Sequence, residues 1–191
     1  MSSNIFSRAF DVRHFGCIFA GAQKNLGVAG LTIVVVRRDL LQRATSTPMP
    51  SIFDYSKMDK EKSLLNTPNC FAIWVTQLVL DWLNNKSLEK QEEENQRKAS
   101  RIYRLIDDEE TSIYQCPVSP ESRSSMNIVF RVKSDEALEK KFVAEAAAKG
   151  LTSLAGHRSV GGIRASLYNA VTQQAVEALA AFMIDFAARY A

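Results

Sequence analysis

Lys24 stands in Ala22-Gln23-Lys24-Asn25, between two apolar runs, Phe15-Gly16-Cys17-Ile18-Phe19-Ala20 and Leu31-Thr32-Ile33-Val34-Val35-Val36. When a lysine is desolvated its ammonium loses its proton more readily, and the free amine can then add to a carbonyl as a Schiff base. The same position also suits an ordinary solvated loop lysine. A second group of reactive side chains lies in Gly156-His157-Arg158-Ser159-Val160-Gly161-Gly162-Ile163-Arg164-Ala165-Ser166. Arg164 sits in an otherwise apolar strand and keeps its charge there, so it needs an anion. That anion is either a ligand carboxylate, gripped in a two-pronged geometry, or an internal Asp or Glu. His157 and Arg158 together can hold a phosphate, or each can simply face solvent. A third stretch, Ser63-Leu64-Leu65-Asn66-Thr67-Pro68, places Asn66 and Thr67 just before a helix. They serve there as a helix cap, or they mark a helix start that receives an anion.

The elements that must position these residues follow from the apolar pattern. The runs on either side of Lys24 are short, bounded by Gly or charge and rich in β-branched residues, and read as buried strands. Cys17 then falls in an apolar strand as a small core residue. Residues 37–44 read as a short helix, and 45–69 as a long irregular segment holding three of the five prolines. In residues 70–84, Phe71, Val75, Leu78, Val79 and Trp82 recur at helical spacing and predict a buried stripe, with Trp74 off it. Residues 84–87 read as the boundary between two domains. Leu88–Ile106 reads as a long charged helix whose Glu89, Lys90, Glu92, Glu93 and Glu94 form a solvated face. Beyond it come a strand at Asn127–Val132, a helix over 135–149 ended by Gly150, and two strands around a Gly-rich turn in 151–169. A final helix capped by Thr172 presents Val176, Leu179, Phe182 and Phe186 on one face. Strands interleaved with helices predict an α/β fold.

Composition narrows the function classes. The 191 residues are 46% hydrophobic and 24% charged, which fits a globular chain rather than a disordered one. A net charge of +3, from basic residues spread along the chain, does not point to nucleic acid or a membrane surface. The three cysteines, Cys17, Cys70 and Cys116, form no CxxC pair and suit a reducing cytoplasm. No apolar run reaches about 18 residues, so no membrane-spanning helix is expected. With only two histidines no histidine-rich metal site is expected, and neither a phosphate-binding GxxxxGKS loop nor a GxSxG elbow occurs.

Taken together, four segments resemble the phosphoserine aminotransferase family of class-V aminotransferases. They are Phe19-Ala20-Gly21-Ala22-Gln23-Lys24-Asn25, Asn66-Thr67-Pro68, residues 123–130, and the glycine-rich stretch from Gly156 continued through Leu167-Tyr168-Asn169-Ala170. The resemblance implies the aspartate-aminotransferase fold: residues 1–84 as the tail of a large cofactor-binding domain, and 85–191 as a small C-terminal α/β domain. It implies pyridoxal 5′-phosphate as cofactor, with Lys24 as the Schiff-base lysine that also shuttles the substrate proton. It implies that Gln23 contacts the cofactor phosphate, and that Asn66 and Thr67 reach the cofactor phosphate of a neighbouring subunit in a homodimer. Arg164 then binds the substrate α-carboxylate, and His157 and Arg158 the phosphate of phosphoserine. The implied reaction transfers an amino group between glutamate and 3-phosphohydroxypyruvate, giving phosphoserine and 2-oxoglutarate.

Departures from the family matter as well. In the family roughly half the chain precedes this lysine; here 23 residues do. The family's phosphate-cradling loop, ring-stacking aromatic residue and pyridinium-pairing aspartate belong to that preceding part. The aspartate lies there just before a Ser-Ser pair like Ser2-Ser3. Val28 and Asn69 occupy positions where the family tends to carry proline. The resemblance therefore supports two expectations: an aminotransferase, or a non-catalytic chain that associates with a full-length aminotransferase.

Overall fold

The computed structural model describes residues 1–43, 48–108, 113–133 and 135–190, in two compact units, Met1–Leu88 and Glu89–Ala191. The first unit is built on an antiparallel pair, β1 (Cys17–Gly21) and β2 (Thr32–Val36), with Cys17 opposite Val36 and Gly21 opposite Thr32. Alternation along β1 turns Ile18 and Ala20 inward, where they pack with Ile5, Ala22 and Leu26. The other face of the pair stays open: Cys17 is exposed, Phe19 is 63% exposed, and no residue of β2 is fully buried. The expectations of buried strands and of a core cysteine are therefore corrected: one face of the pair is covered and Cys17 is on the other. An apolar run measures tolerance for burial, and a two-stranded sheet covers one face only.

Two short helices, α1 (Arg38–Leu41) and α2 (Tyr55–Lys60), precede α3 (Cys70–Lys86). Helix α1 is shorter than predicted; position 44 of that prediction lies outside the described residues. Helix α2 falls within the segment expected to be irregular, and Asp54 caps it by accepting from Ser56 N and Lys57 N. The buried line of α3 is Ala72, Thr76 and Leu83, not the predicted stripe. Phe71, Leu78 and Trp82 are exposed, as are Ile73 and Trp74, and Val75 and Val79 are half-buried. Helix α3 also runs through Asn84 and Asn85 to Lys86. Ser87, at φ 76°, joins it to α4 (Leu88–Ile106).

The second unit is a four-stranded antiparallel sheet in the order β3 (Tyr114–Gln115), β4 (Asn127–Val132), β6 (Gly161–Ser166), β5 (Ala155–His157). Ile128, Phe130, Val132, Ile163 and Ala165 alternate onto one face and pack against α4, α5 (Glu136–Ala148) and α6 (Gln173–Tyr190). Phe142 of α5 is fully buried, with the rings of Tyr114, Phe130, Phe182 and Phe186 at 4.9–6.0 Å in edge-on contact. Asp135 caps α5 and Thr172 caps α6 through Ala175 N at 3.2 Å.

Polar groups also enter this core in satisfied form. Lys98 of α4, 1% exposed, donates from Nζ to the carbonyls of Leu167 (3.3 Å), Tyr168 (3.0 Å) and Val171 (3.0 Å). Asn95 Nδ2 donates to Asn169 Oδ1 at 2.9 Å. These bonds tie the chain leaving β6 to α4, and a charged helix thereby acquires an inner face.

Tyr103 of α4 donates its hydroxyl to Ser124 O at 2.9 Å and lies beneath the Arg123 guanidinium, which pairs with Asp107. Burial pushes the Tyr103 hydroxyl up to about 12. A pKa raised in the folded state gives stability that is fully present below the unfolded value, near 10, and is lost as pH rises through 12. The stability advantage of the wild type over Tyr103→Phe, measured by urea unfolding, should shrink steadily from pH 10 to 12 and stay constant from pH 7 to 9.

Candidate functional site

Lys24 follows β1 at the start of the connection to β2, which is closed by Ala22 N donating to Leu31 O at 2.9 Å and Leu26 N to Ala22 O at 3.1 Å. The side chain of Lys24 is exposed, and Nζ donates to Ser3 Oγ at 2.8 Å. Of the two readings the sequence left open, the structure shows the solvated loop lysine, with a hydroxyl at its ammonium. Its backbone is nevertheless firmly placed. Asn25, 4% exposed, donates from Nδ2 to Ser3 O at 2.9 Å and Ile5 O at 3.0 Å. Ser2 Oγ accepts from Gly21 N at 2.9 Å, and the Met1 ammonium donates to Phe19 O at 2.6 Å. The Ser2-Ser3 pair thus frames the lysine from across the chain. Gln23 beside it is exposed.

Asn66 and Thr67 are exposed before α3. Neither caps it: that role belongs to Asn69, whose Oδ1 accepts from Ala72 N at 3.1 Å. The capping reading of Asn66 and Thr67 is therefore withdrawn in favour of the residue standing at one of the family's proline positions, and the hydroxyl and amide remain available to a ligand.

In the second unit the structure gathers three of the expected residues on one hairpin. Strands β5 and β6 pair with His157 opposite Gly161, and Val160 N donates to His157 O at 2.9 Å across the turn. Gly161 and Gly162 adopt φ 74° and 73°, a conformation that side chains rarely take. His157 and Arg158 are exposed. Ser159 meets the ring twice at Nδ1: its backbone N donates at 3.3 Å, and its Oγ lies at 2.7 Å. The hairpin and α5 border a cavity of about 590 Å³ whose walls include Glu136, Lys140, His157 and Arg158.

Arg164 lies opposite Val129 on the face of the sheet away from the core. Among the described residues it forms no ion pair, and its Nε is buried with no hydrogen-bond partner. An internal carboxylate was one of the two anions its sequence context allowed, and none among the described residues pairs with it. On neighbouring positions of that face Tyr168 Oη and Ser166 Oγ both donate to Asn127 Oδ1, at 3.0 and 3.2 Å. Two residues that sequence reasoning passed over support the hairpin: Arg131 of β4 and Glu139 of α5, joined at 2.6 Å. Arg131 carried the same signal as Arg164, a charged residue in an apolar strand.

Among the described residues no group of three His, Cys, Asp or Glu side chains is placed to hold a metal ion, and no helix is long and apolar enough to cross a membrane.

Comparison with known proteins places these residues in context. Residues 1–179 match the family described as Aminotransferase class-V. A phosphoserine aminotransferase of Syntrophobacter fumaroxidans is 50% identical over 188 residues, 97% of this chain and 51% of that protein. One from Geobacillus kaustophilus is 48% identical over 192 residues, 100% of this chain and 52% of that protein. The solved phosphoserine aminotransferase from Bacillus circulans subsp. alkalophilus superposes with a TM-score of 0.94 at 45% identity, over 100% of this chain and 52% of that one. The PLP-bound phosphoserine aminotransferase from Trichomonas vaginalis does so at 0.90 and 38% identity, over 96% and 52%. The chain thus spans about half the length of the curated relatives it matches.

An unpartnered buried guanidinium nitrogen costs about 1–3 kcal/mol of desolvation, which a ligand recovers and the empty protein does not. Arg164→Met, which keeps the stem and removes the nitrogen, should therefore leave the urea-unfolding free energy unchanged or raise it. A loss of about 3 kcal/mol, the cost of breaking a buried ion pair, would show that Arg164 is held by an internal anion after all.

Proposed function

Since the chain belongs to the class-V aminotransferase family, we propose that it carries the lysine, carboxylate and phosphate receptors of a phosphoserine aminotransferase, exchanging an amino group between glutamate and 3-phosphohydroxypyruvate. The observation that carries this reading is the β5–β6 hairpin. One hairpin bears Arg164, half-buried with its Nε buried and without a hydrogen-bond partner, and an exposed His157-Arg158 pair. Phosphoserine carries the two anions that such a pair of receptors would take, an α-carboxylate and a phosphate. Forked recognition of the carboxylate belongs to arginine, and an imidazole with a guanidinium suits a phosphate dianion.

The residues of the first unit fit pyridoxal 5′-phosphate. Lys24 offers an exposed primary amine whose bond to Ser3 Oγ is readily exchanged, and Gln23, Asn66 and Thr67 offer exposed amide and hydroxyl groups. When bound, this cofactor supplies an aldehyde for the amine and an electron-withdrawing ring for the pair of electrons left at the substrate Cα. Lys24 would hold the cofactor, and its Nζ, once released, would move the proton of the substrate Cα. Gln23 would contact the cofactor phosphate, and Asn66 and Thr67 would reach that of a neighbouring subunit. Arg164 would bind the α-carboxylate. Three unpaired cysteines support a reducing, cytoplasmic setting.

A second reading has support of its own. Phe71, Trp74, Leu78 and Trp82 of α3 are all exposed and fall at helical spacing along one side of the helix, an apolar face of the kind that marks protein association. It favours association, with a second copy or with a full-length aminotransferase that this chain assists without catalysing.

The two readings part in one experiment. Borohydride added to the chain with saturating pyridoxal 5′-phosphate should fix a pyridoxyl group on the peptide containing Lys24, and Lys24→Ala should abolish it. Absence of that adduct at saturating cofactor would end the catalytic reading for this polypeptide. Light scattering should give a mass above that of one chain, and Trp74→Glu with Trp82→Glu should return it to monomer.

A further inference from the structure

The hairpin that carries His157 and Arg158 is poorly restrained by its own residues. Positions 157–161 are exposed, and two of the residues leaving the turn are glycines at positive φ. Such a turn loses much conformational freedom when it is ordered, and a ligand binding to it must supply that order unless the protein already does. Within the turn the restraints are the Val160 N to His157 O bond at 2.9 Å and two contacts of Ser159 with His157 Nδ1, from Oγ at 2.7 Å and from N at 3.3 Å.

Arg131 of β4 reaches this turn from outside it. Its Nη1 donates to the Val160 carbonyl at 3.1 Å, and its Nε donates to Glu139 Oε1 at 2.6 Å. Glu139, 5% exposed, also accepts from Val132 N at 3.3 Å, so its carboxylate is fixed at the start of α5. The stem of Arg131 lies along Gly162, where an added Cβ would come within 2.9 Å of Arg131 Cδ. The glycine therefore does two things: it permits the turn, and it admits the arginine beneath it. A lysine cannot replace this bridge, because one ammonium cannot meet a carboxylate and a carbonyl in the fixed fork that guanidinium provides.

We infer that Arg131, locked by Glu139, is a positioning residue that pre-orders the 158–162 turn for a phosphate monoester at His157 and Arg158. This rests on the reading of those two residues as phosphate receptors.

The experiment uses the whole chain and the variants Arg131→Met, Arg131→Lys and Glu139→Gln. Amide exchange at Val160 reports the turn, and the His157 ring-proton shift reports binding of O-phospho-L-serine, with glutamate as the phosphate-free control. Arg131→Met and Arg131→Lys should each speed Val160 exchange at least about tenfold. Each should weaken phosphoserine by a similar factor and leave glutamate within about twofold. Glu139→Gln, which keeps the packing, should move both readouts in the same direction by less, and decides the matter if the Arg131 variants do not fold. Unchanged Val160 exchange in Arg131→Met overturns the inference. So does an Arg131→Lys chain that behaves as wild type, since charge alone then suffices. If the wild-type chain binds no phosphoserine, the functional reading of His157 and Arg158 fails, and the exchange comparison still decides whether Arg131 orders the turn.

Discussion

The side-chain alternation of β6 is the constraint from which the second unit follows. Ile163 and Ala165 must face the helices, where Phe142 and the rings around it fill the core. A strand has period two, so Arg164 and Ser166 are then forced onto the opposite face. A shift of one residue would drive the guanidinium into the aromatic cluster and Ile163 into water. The apolar core thus sets the register, and the register presents the polar residues. Lys98 and Asn95 extend this logic past the strand end, tying the carbonyls and amide that follow β6 to α4.

The first unit holds its reactive residue by different means. Few buried side chains support the Lys24 connection, and its geometry comes from hydrogen bonds to the first residues of the chain: Ser2 to Gly21, and Asn25 to Ser3 and Ile5. Backbone groups are fixed in this way while the lysine side chain stays in solvent.

How much was legible in the sequence depended on whether burial is decided locally. Strands at Asn127–Val132 and Gly161–Ser166 and the helix at Glu136–Ala148 were readable because their alternation or 3.6-residue period is completed by neighbours within the same unit. The α3 stripe misled for the opposite reason. Phe71, Leu78 and Trp82 have the right period, but Ala72, Thr76 and Leu83 are what the described residues cover. Periodicity reports that a helix has an apolar face and is silent on what meets it. The short helix α2 was hidden in a proline-containing stretch, and its one local sign was the Asp54 cap. For the candidate site, residue types were legible at Lys24 and on the hairpin. The partner of each charge was not, because a partner such as Glu139 is brought close only by the fold.

Arg131 and Arg164 show what that last step contributes. Both are arginines in apolar strands of one sheet, and sequence alone offers the same two anions to each: a ligand or an internal carboxylate. The fold gives Arg131 a buried carboxylate at 2.6 Å and a backbone carbonyl, and so absorbs its charge into the structure. It gives Arg164 neither, and leaves its Nε buried and unpaired. An unpaired buried donor persists at a cost to stability, which a ligand that supplies the missing acceptor removes. The paired arginine is therefore scaffold, and the unpaired one is the arginine that the proposed function takes as a receptor, a distinction made by what the described residues offer each and not by any difference in residue type.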